Sequence, residues 1–284
     1  MAVMHKEHIE FFDPLKIALS GQAFRIHPID DTHTELVAKG RYLQIASLGN
    51  DEYAFSCSDD EFDDIWRDYF DLSFDYLRAV SKADKNDSFL QASINTGYGI
   101  RILRQEVFET IISYIISQRR SIPSITTCVD RLSELCGTRI TAPTLGSPFV
   151  KPLKDEYHAF PTVEQASKIT SEELDHIGAG YRTSYIMSAI EEFEQGKLVP
   201  EAMSKLDDDE LYEVLTSMYG VGTKVANCVM LFGFHRVGRF PVDVWIKRIE
   251  DRYYGGHFNA EDYPDEAGIL QQFMFYYIRN RSDF

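Results

Sequence analysis

Two residues have the types and spacing of reagents: Lys224 and Asp243, 19 positions apart in a chain of 284. Lys224 lies in Met218-Tyr-Gly-Val-Gly-Thr-Lys-Val-Ala-Asn-Cys228, and Asp243 lies in Arg239-Phe-Pro-Val-Asp-Val-Trp245. An amine can attack an electrophilic carbon such as that of a sugar, and a fixed carboxylate can stabilise the positive charge that develops there or shuttle protons. The positive end of a helix dipole and apolar surroundings both favour the neutral, reactive amine. A lysine at a helix start also has a plainer use, contacting phosphate or solvent. Asp243 follows Pro241 and precedes Val244, Ile246 and Ile249 at helical spacing, so it reads as an N-cap. A cap can also be a reagent, because the dipole and the backbone N–H groups favour the anion. Cys228 falls one turn beyond Lys224 on the same helix face. From position alone it reads as a small buried apolar residue.

The elements that must hold these groups are two helices and a glycine turn. Leu211, Val214, Leu215 and Met218 recur at helical spacing, with Asp207 to Asp209 as acidic N-cap candidates. Gly220 and Gly222 then break the pattern, since glycine reaches positive φ without strain. Thr223 is the expected cap of the next helix, which runs through Val225, Ala226, Val229 and Met230. A helix start beside a glycine nest binds phosphate through free N–H groups, with no side-chain charge required. Gly220, Gly222, Thr223 and Val225 are therefore assigned to contact with a phosphate backbone.

The hairpin, the lysine and the Pro-Val-Asp segment resemble the helix-hairpin-helix DNA glycosylases. Further matches spread over nearly the whole chain are similar to the 8-oxoguanine branch of that superfamily: Ser20-Gly-Gln-Ala-Phe-Arg25, Arg101-Ile-Leu-Arg-Gln105, Gly178-Ala-Gly-Tyr-Arg182, Gly268-Ile-Leu-Gln-Gln272 and Phe275. The resemblance implies that the Gly21 carbonyl senses the N7 proton of the oxidised base. It implies that Tyr181 wedges into the DNA stack. Gln271 and Phe275, four apart on one helix face, then read and stack on the flipped base, with Cys228 and Lys224 on its other side. Without the resemblance, that segment reads as a core helix and Tyr181 as a surface aromatic.

The sequence also departs from the family pattern. Where the family carries asparagines that contact the opposite base, and animal members an arginine, this chain has Ser117-Gln-Arg-Arg-Ser-Ile-Pro-Ser-Ile125. Arg119 falls at the asparagine position and Ser124 at the arginine position. Arginine can still donate to base edges or fill the vacated stack, so weak discrimination for cytosine is expected. Trp245 replaces a histidine common in animal relatives, and Tyr219 stands where a proline is usual.

Composition limits the alternatives. With 44% hydrophobic residues the chain can build one large or two modest domains. No apolar run reaches about 18 residues, so no spanning helix and no membrane partner are expected. Met1 to Glu10 lacks a signal-peptide core, which suggests the cytoplasm, or the nucleoid in a bacterium. Cys57, Cys128, Cys136 and Cys228 are too scattered for a disulfide scaffold. No cysteine follows Cys228, so the four-cysteine iron–sulfur loop of relatives acting on oxidised pyrimidines or mispaired adenine is missing. No cofactor and no side-chain metal site are expected; a cation at the hairpin would be structural and held by carbonyls. The net charge of −16 is the reverse of a usual DNA-binding chain. The acid concentrates in Asp59 to Asp64, Asp207 to Glu210 and Glu261 to Glu266, read as solvated segments facing away from DNA. Affinity for undamaged DNA should be modest and salt-sensitive.

The expected fold is α+β. An N-terminal antiparallel β domain with a helical extension occupies residues 1–95, and a mostly helical helix-hairpin-helix domain occupies 96–284. Residues Leu15 to Cys57 alternate like strands, with Gly49-Asn50-Asp51 as a turn. Helical patterns begin at Phe62 and include Leu90 to Leu103 and Val107 to Ile116. Thr141 to Pro161 reads as a proline-bearing loop linking helical layers. The resemblance implies a monomeric base-excision enzyme with lyase activity on duplex DNA containing oxidised guanine. Two rivals stand beside it. A monofunctional alkylpurine glycosylase would usually lack the hairpin lysine, and an idle DNA clamp would not need Lys224 and Asp243 together.

Overall fold

The computed structural model describes residues 4–281. Five strands, β1 (His5–His8), β2 (Ile26–Pro28), β3 (His33–Ala38), β4 (Arg41–Gly49) and β5 (Glu52–Phe55), form an antiparallel sheet in the order β1-β5-β4-β3-β2. The turn between β4 and β5 uses Asn50 and Asp51 at positive φ, which their short polar side chains tolerate. Two local signals differ from the expected meander. Pro14–Leu19 is a helix, because the Asp13 carboxylate caps the Lys16 N–H at 3.0 Å and Pro14 pre-sets φ at its start. His5–His8 is an edge strand against β5, a pairing that four mostly polar residues do not announce.

Every residue from Tyr42 to Ala46 is buried, so both faces of β4 are covered. Leu43 and Ile45 join Phe55, Phe62, Trp66 and Phe70 in one core, under the helical stretch from Asp59 to Tyr69. The opposite face carries the segment expected to be a plain loop. It holds two short strands, β6 (Arg139–Thr141) and β7 (Glu156–His158), paired antiparallel. Gln44 exchanges two hydrogen bonds with the Val150 backbone, and buried Glu35 accepts from the Tyr42 and Tyr157 hydroxyls and the Leu153 N–H. Polar side chains on the outward face of the sheet therefore pin this segment, and periodicity could not reveal that.

The helices of ten residues or more are α1 (Ser88–Gly97), α2 (Val107–Ser117), α3 (Ile122–Cys136), α4 (Thr183–Glu194), α5 (Asp208–Ser217), α6 (Thr223–Phe232), α7 (Val244–Tyr253) and α8 (Ala267–Arg279). The expected helical run to Leu103 stops at Gly97; a turn follows at Tyr98 and Gly99, and residues 100–106 form no regular element. The buried Arg101 guanidinium donates to the carbonyls of Phe11 at 2.7 Å, Asp71 at 2.7 Å and Glu10 at 3.0 Å, which a continued helix would not reach. A boundary at residue 95 falls inside α1, and α1 packs along α8, so α1 belongs to the helical body. Glu266, expected in solvent, is buried and paired with Lys82.

One joint ties the two parts together. Buried Asp71 accepts from Tyr76 Oη at 2.9 Å, Arg104 Nη2 at 2.8 Å and His235 Nε2 at 3.0 Å. Burial pushes this carboxyl up, but the His235 hydrogen bond and the His235 and Arg104 charges outweigh burial and hold it below its ordinary 3.8. A depressed folded pKa stabilises above the ordinary value, and the contribution disappears as pH falls through the folded value. Asp71→Ala should cost about 3–5 kcal/mol at neutral pH in urea unfolding, because it strands buried partners.

Candidate active site

The helix-hairpin-helix unit is α5, the turn Met218–Gly222, and α6. Asp207 starts α5 with a capping box closed by Glu210. The expected threonine cap of α6 is absent: Gly222 is the cap residue and Thr223 the first helical residue. The Thr223 hydroxyl instead accepts from Tyr212 Oη at 2.9 Å. Ala226 is the first N–H to reach back, to Gly222 O at 2.9 Å. Among the described residues the N–H groups of Thr223, Lys224 and Val225 have no acceptor, and no side chain caps them. The Val225 side chain is buried, so only its amide is offered at this helix end.

Lys224, in the first turn of α6, projects over the Tyr114 ring of α2, 5.2 Å from its centroid. Cys228 sits one turn behind it and is 4% exposed. Burial pushes the Cys228 thiol up to about 11, against the pull of the neighbouring Lys224. Asp243 caps α7: its Oδ1 accepts from the N–H groups of Trp245 and Ile246, both at 2.9 Å. Among the described residues no hydrogen bond uses Oδ2.

Gly21 is held in place by its neighbour. Gln22 is fully buried, accepts from the Leu103 N–H at 2.8 Å and donates to the Arg101 carbonyl at 2.9 Å. Gln105 and Tyr114 both donate to the Gln22 carbonyl. Gly21 adopts φ +76°, and a Cβ there would lie 2.7 Å from Ile122 Cδ1 and 3.3 Å from Phe275 Cε1. Only glycine fits both the conformation and the space.

These elements enclose an open cleft of about 940 Å³. Gly21, Arg119, Lys224, Asp243 and Phe275 all line it, so five expected site residues come together. Gln271 and Cys228 do not line it. Gln271 is 4% exposed, and its amide donates to the Pro241 carbonyl at 3.0 Å, behind the wall that Val242 and Asp243 present. The sequence reading missed Tyr114 and Arg279, which also line the cleft. Tyr114 lies in an apolar run that gives no signal. Arg279 was legible, being four residues after Phe275 and so on the same helix face.

Beside the cleft, Tyr181 is 53% exposed on a turn whose glycines, 178 and 180, have positive φ. That turn is strapped to the Arg119 turn. The Gln118 carbonyl accepts from Arg182 Nε at 3.0 Å and from Tyr181 Oη at 3.4 Å, and Arg120 donates to the Gly178 carbonyl. The Gln118 amide donates to the hairpin carbonyl of Gly220 at 3.0 Å. Arg119 itself is exposed at φ +53°. Among the described residues no helix is long and apolar enough to cross a membrane.

Comparisons with known proteins show which family the chain resembles. Residues 4–111 match the family described as 8-oxoguanine DNA glycosylase, N-terminal domain. A probable N-glycosylase/DNA lyase of Methanothermobacter thermautotrophicus is 30% identical over 237 residues, covering 74% of this chain and 72% of the relative. The N-glycosylase/DNA lyase of Saccharomyces cerevisiae is 37% identical over 171 residues, 55% of this chain, and the match spans only 42% of the yeast protein. The apo crystal structure of the Clostridium acetobutylicum 8-oxoguanine glycosylase/lyase superposes with a TM-score of 0.86 at 30% identity, covering 98% of this chain and all of that one. The chain belongs to the 8-oxoguanine DNA glycosylase/lyase family.

The hairpin offers a direct check on its geometry. Gly220 has φ +83°, and a Cβ there would lie 2.2 Å from the Tyr185 ring. Gly220→Ala combines about 1–2 kcal/mol of backbone strain with about 1–3 kcal/mol of overpacking. Urea unfolding should show a loss of a few kcal/mol, and anisotropy titration should show weaker DNA binding.

Proposed function

We propose that this protein excises 8-oxoguanine from duplex DNA through Lys224 and then cleaves the strand by β-elimination. The observation that carries this reading is one cleft lined by Lys224, Asp243, Gly21 and Phe275 together. The neutral Lys224 amine attacks C1′ as the C1′–N9 bond breaks, and the base leaves with that electron pair. Asp243 Oδ2 stabilises the positive charge that develops at the sugar. The adduct nitrogen loses a proton, and its lone pair forms the Schiff base as C1′–O4′ breaks and O4′ takes a proton. Loss of a C2′ proton then forms C2′=C3′ as the C3′–O bond breaks, and the phosphate leaves with that electron pair.

Recognition follows from the same walls. The Gly21 carbonyl accepts the N7 proton that the oxidised base has and guanine lacks. Phe275 stacks on the flipped base. For Gln271 to read the pairing edge, its amide must exchange Pro241 for the base. Tyr181 fills the gap in the duplex, and the free N–H groups at the start of α6 take a backbone phosphate.

Borohydride added to a duplex carrying one 8-oxoguanine should trap a covalent adduct, and Lys224→Gln should abolish it. Base release from alkylated DNA without an adduct would instead favour a monofunctional glycosylase. A second expectation concerns the partner strand. Arg119 and Ser124 supply no asparagine or second arginine for cytosine, and a bidentate contact is worth about 1–3 kcal/mol. Excision rates opposite the four bases should therefore fall within about tenfold of one another; a strong cytosine preference would sink this expectation.

A further inference from the structure

Arg279 occupies a distinctive place in the cleft. It follows Phe275 by one turn of α8, and its guanidinium carbon stands 5.3 Å from the Phe275 ring centroid. Its Nη1 lies 3.4 Å from the Cβ position at Gly21. The guanidinium, the edge of Phe275 and the backbone of Gly21 therefore converge at one end of the cleft.

Other cations lining the cleft are placed or engaged differently. Lys247 is paired with Asp251 at 2.9 Å and donates to the Gly256 carbonyl at 2.9 Å. Arg120 donates to Gly178 and Ala179. Lys224 stands over Tyr114, and Arg119 belongs to the turn strapped to Tyr181. The Arg279 guanidinium, by contrast, has no hydrogen-bond acceptor among the described residues. It carries five N–H donors and cannot lose its charge near neutral pH.

The chemistry of the proposed substrate supplies a partner. On the five-membered ring of an 8-oxopurine the N7–H donor and the C8=O acceptor are adjacent. A site with only the Gly21 carbonyl satisfies the first group and leaves the second without a donor. An arginine beside Gly21 supplies the complementary donor. We infer that Arg279 is a specificity-determining residue that donates to the C8 oxygen, so that Gly21 and Arg279 together read both groups created by oxidation. This inference rests on the functional reading above. It predicts a preference for purines bearing an exocyclic oxygen at C8, independent of the pairing edge.

The test uses the full chain and uncleavable 2′-fluoro nucleotides in otherwise identical duplexes, one with guanine and one with 8-oxoguanine. The readout is the ratio of the two dissociation constants. Arg279→Leu keeps an apolar cover on Phe275 and removes the donors; a thermal melt confirms that the variant is folded. The ratio should shrink about ten- to hundredfold, the worth of one hydrogen bond to a charged group. Equal weakening of both duplexes would overturn the inference by making Arg279 a phosphate contact. An unchanged ratio would overturn it outright. If the unaltered protein shows no preference for 8-oxoguanine, the functional reading fails first, and the comparison separates that from a failure at Arg279 alone.

Discussion

Oδ1 of Asp243 accepts two N–H groups at the start of α7, and that engagement fixes where its second oxygen can stand. The first oxygen supplies the cap that α7 needs, so the rotamer is set by the fold. The second makes no hydrogen bond among the described residues, and Asp243 lines the cleft. Lys224 is delivered by the opposite device. The start of α6 has no side-chain cap at all, which leaves its amides open to an outside anion and puts the lysine at the cleft edge. One helix start is saturated and the other is unsatisfied, and this contrast brings Asp243 and Lys224 to the same cleft.

The remaining wall comes from the far end of the chain. Gln22 is buried against the irregular stretch after α1, and Arg101 anchors that stretch by reaching the carbonyls of Glu10, Phe11, Asp71 and Phe74. Gly21 can then meet Phe275 from α8. The N-terminal part has no obvious ligand chemistry, yet it contributes Gly21 to the cleft. Asp71 and its partners join the same two regions, and the Asp71 carbonyl also accepts from Arg101.

Much of this was legible in the residues. The hairpin, its two flanking helices, Lys224, Asp243 and the β4–β5 turn are encoded locally, by glycines, caps and apolar spacing, and such signals can be read in one dimension. The α+β division was readable for the same reason. What escaped depended on distant partners. The strand His5–His8 exists because β5 offers an edge, and β7 exists because Glu35 and Gln44 hold its flanking segment to the sheet. The helix Pro14–Leu19 was locally signalled by Asp13 and Pro14, and strand-like alternation masked it. Thr223 looked like a cap because threonine commonly is one; its hydroxyl belongs to Tyr212. Gln271 and Phe275 share a face by spacing, but only Phe275 reaches the cleft, since the Gln271 amide is held by Pro241. Tyr114 lies within an apolar run, and no pattern in the chain separates it from its neighbours.

Gln118 touches three loops at once: its side chain holds Gly220 of the hairpin, its carbonyl holds Arg182 and Tyr181, and its own turn presents Arg119. A surface assembled from three independent loops would lose conformational entropy each time it met a duplex. Here folding already joins the three loops through Gln118, which lowers that cost. For a chain with so unfavourable a net charge, a rigid stamp of this kind lets a modest electrostatic attraction go further, because little of it is consumed in arranging the surface that makes contact.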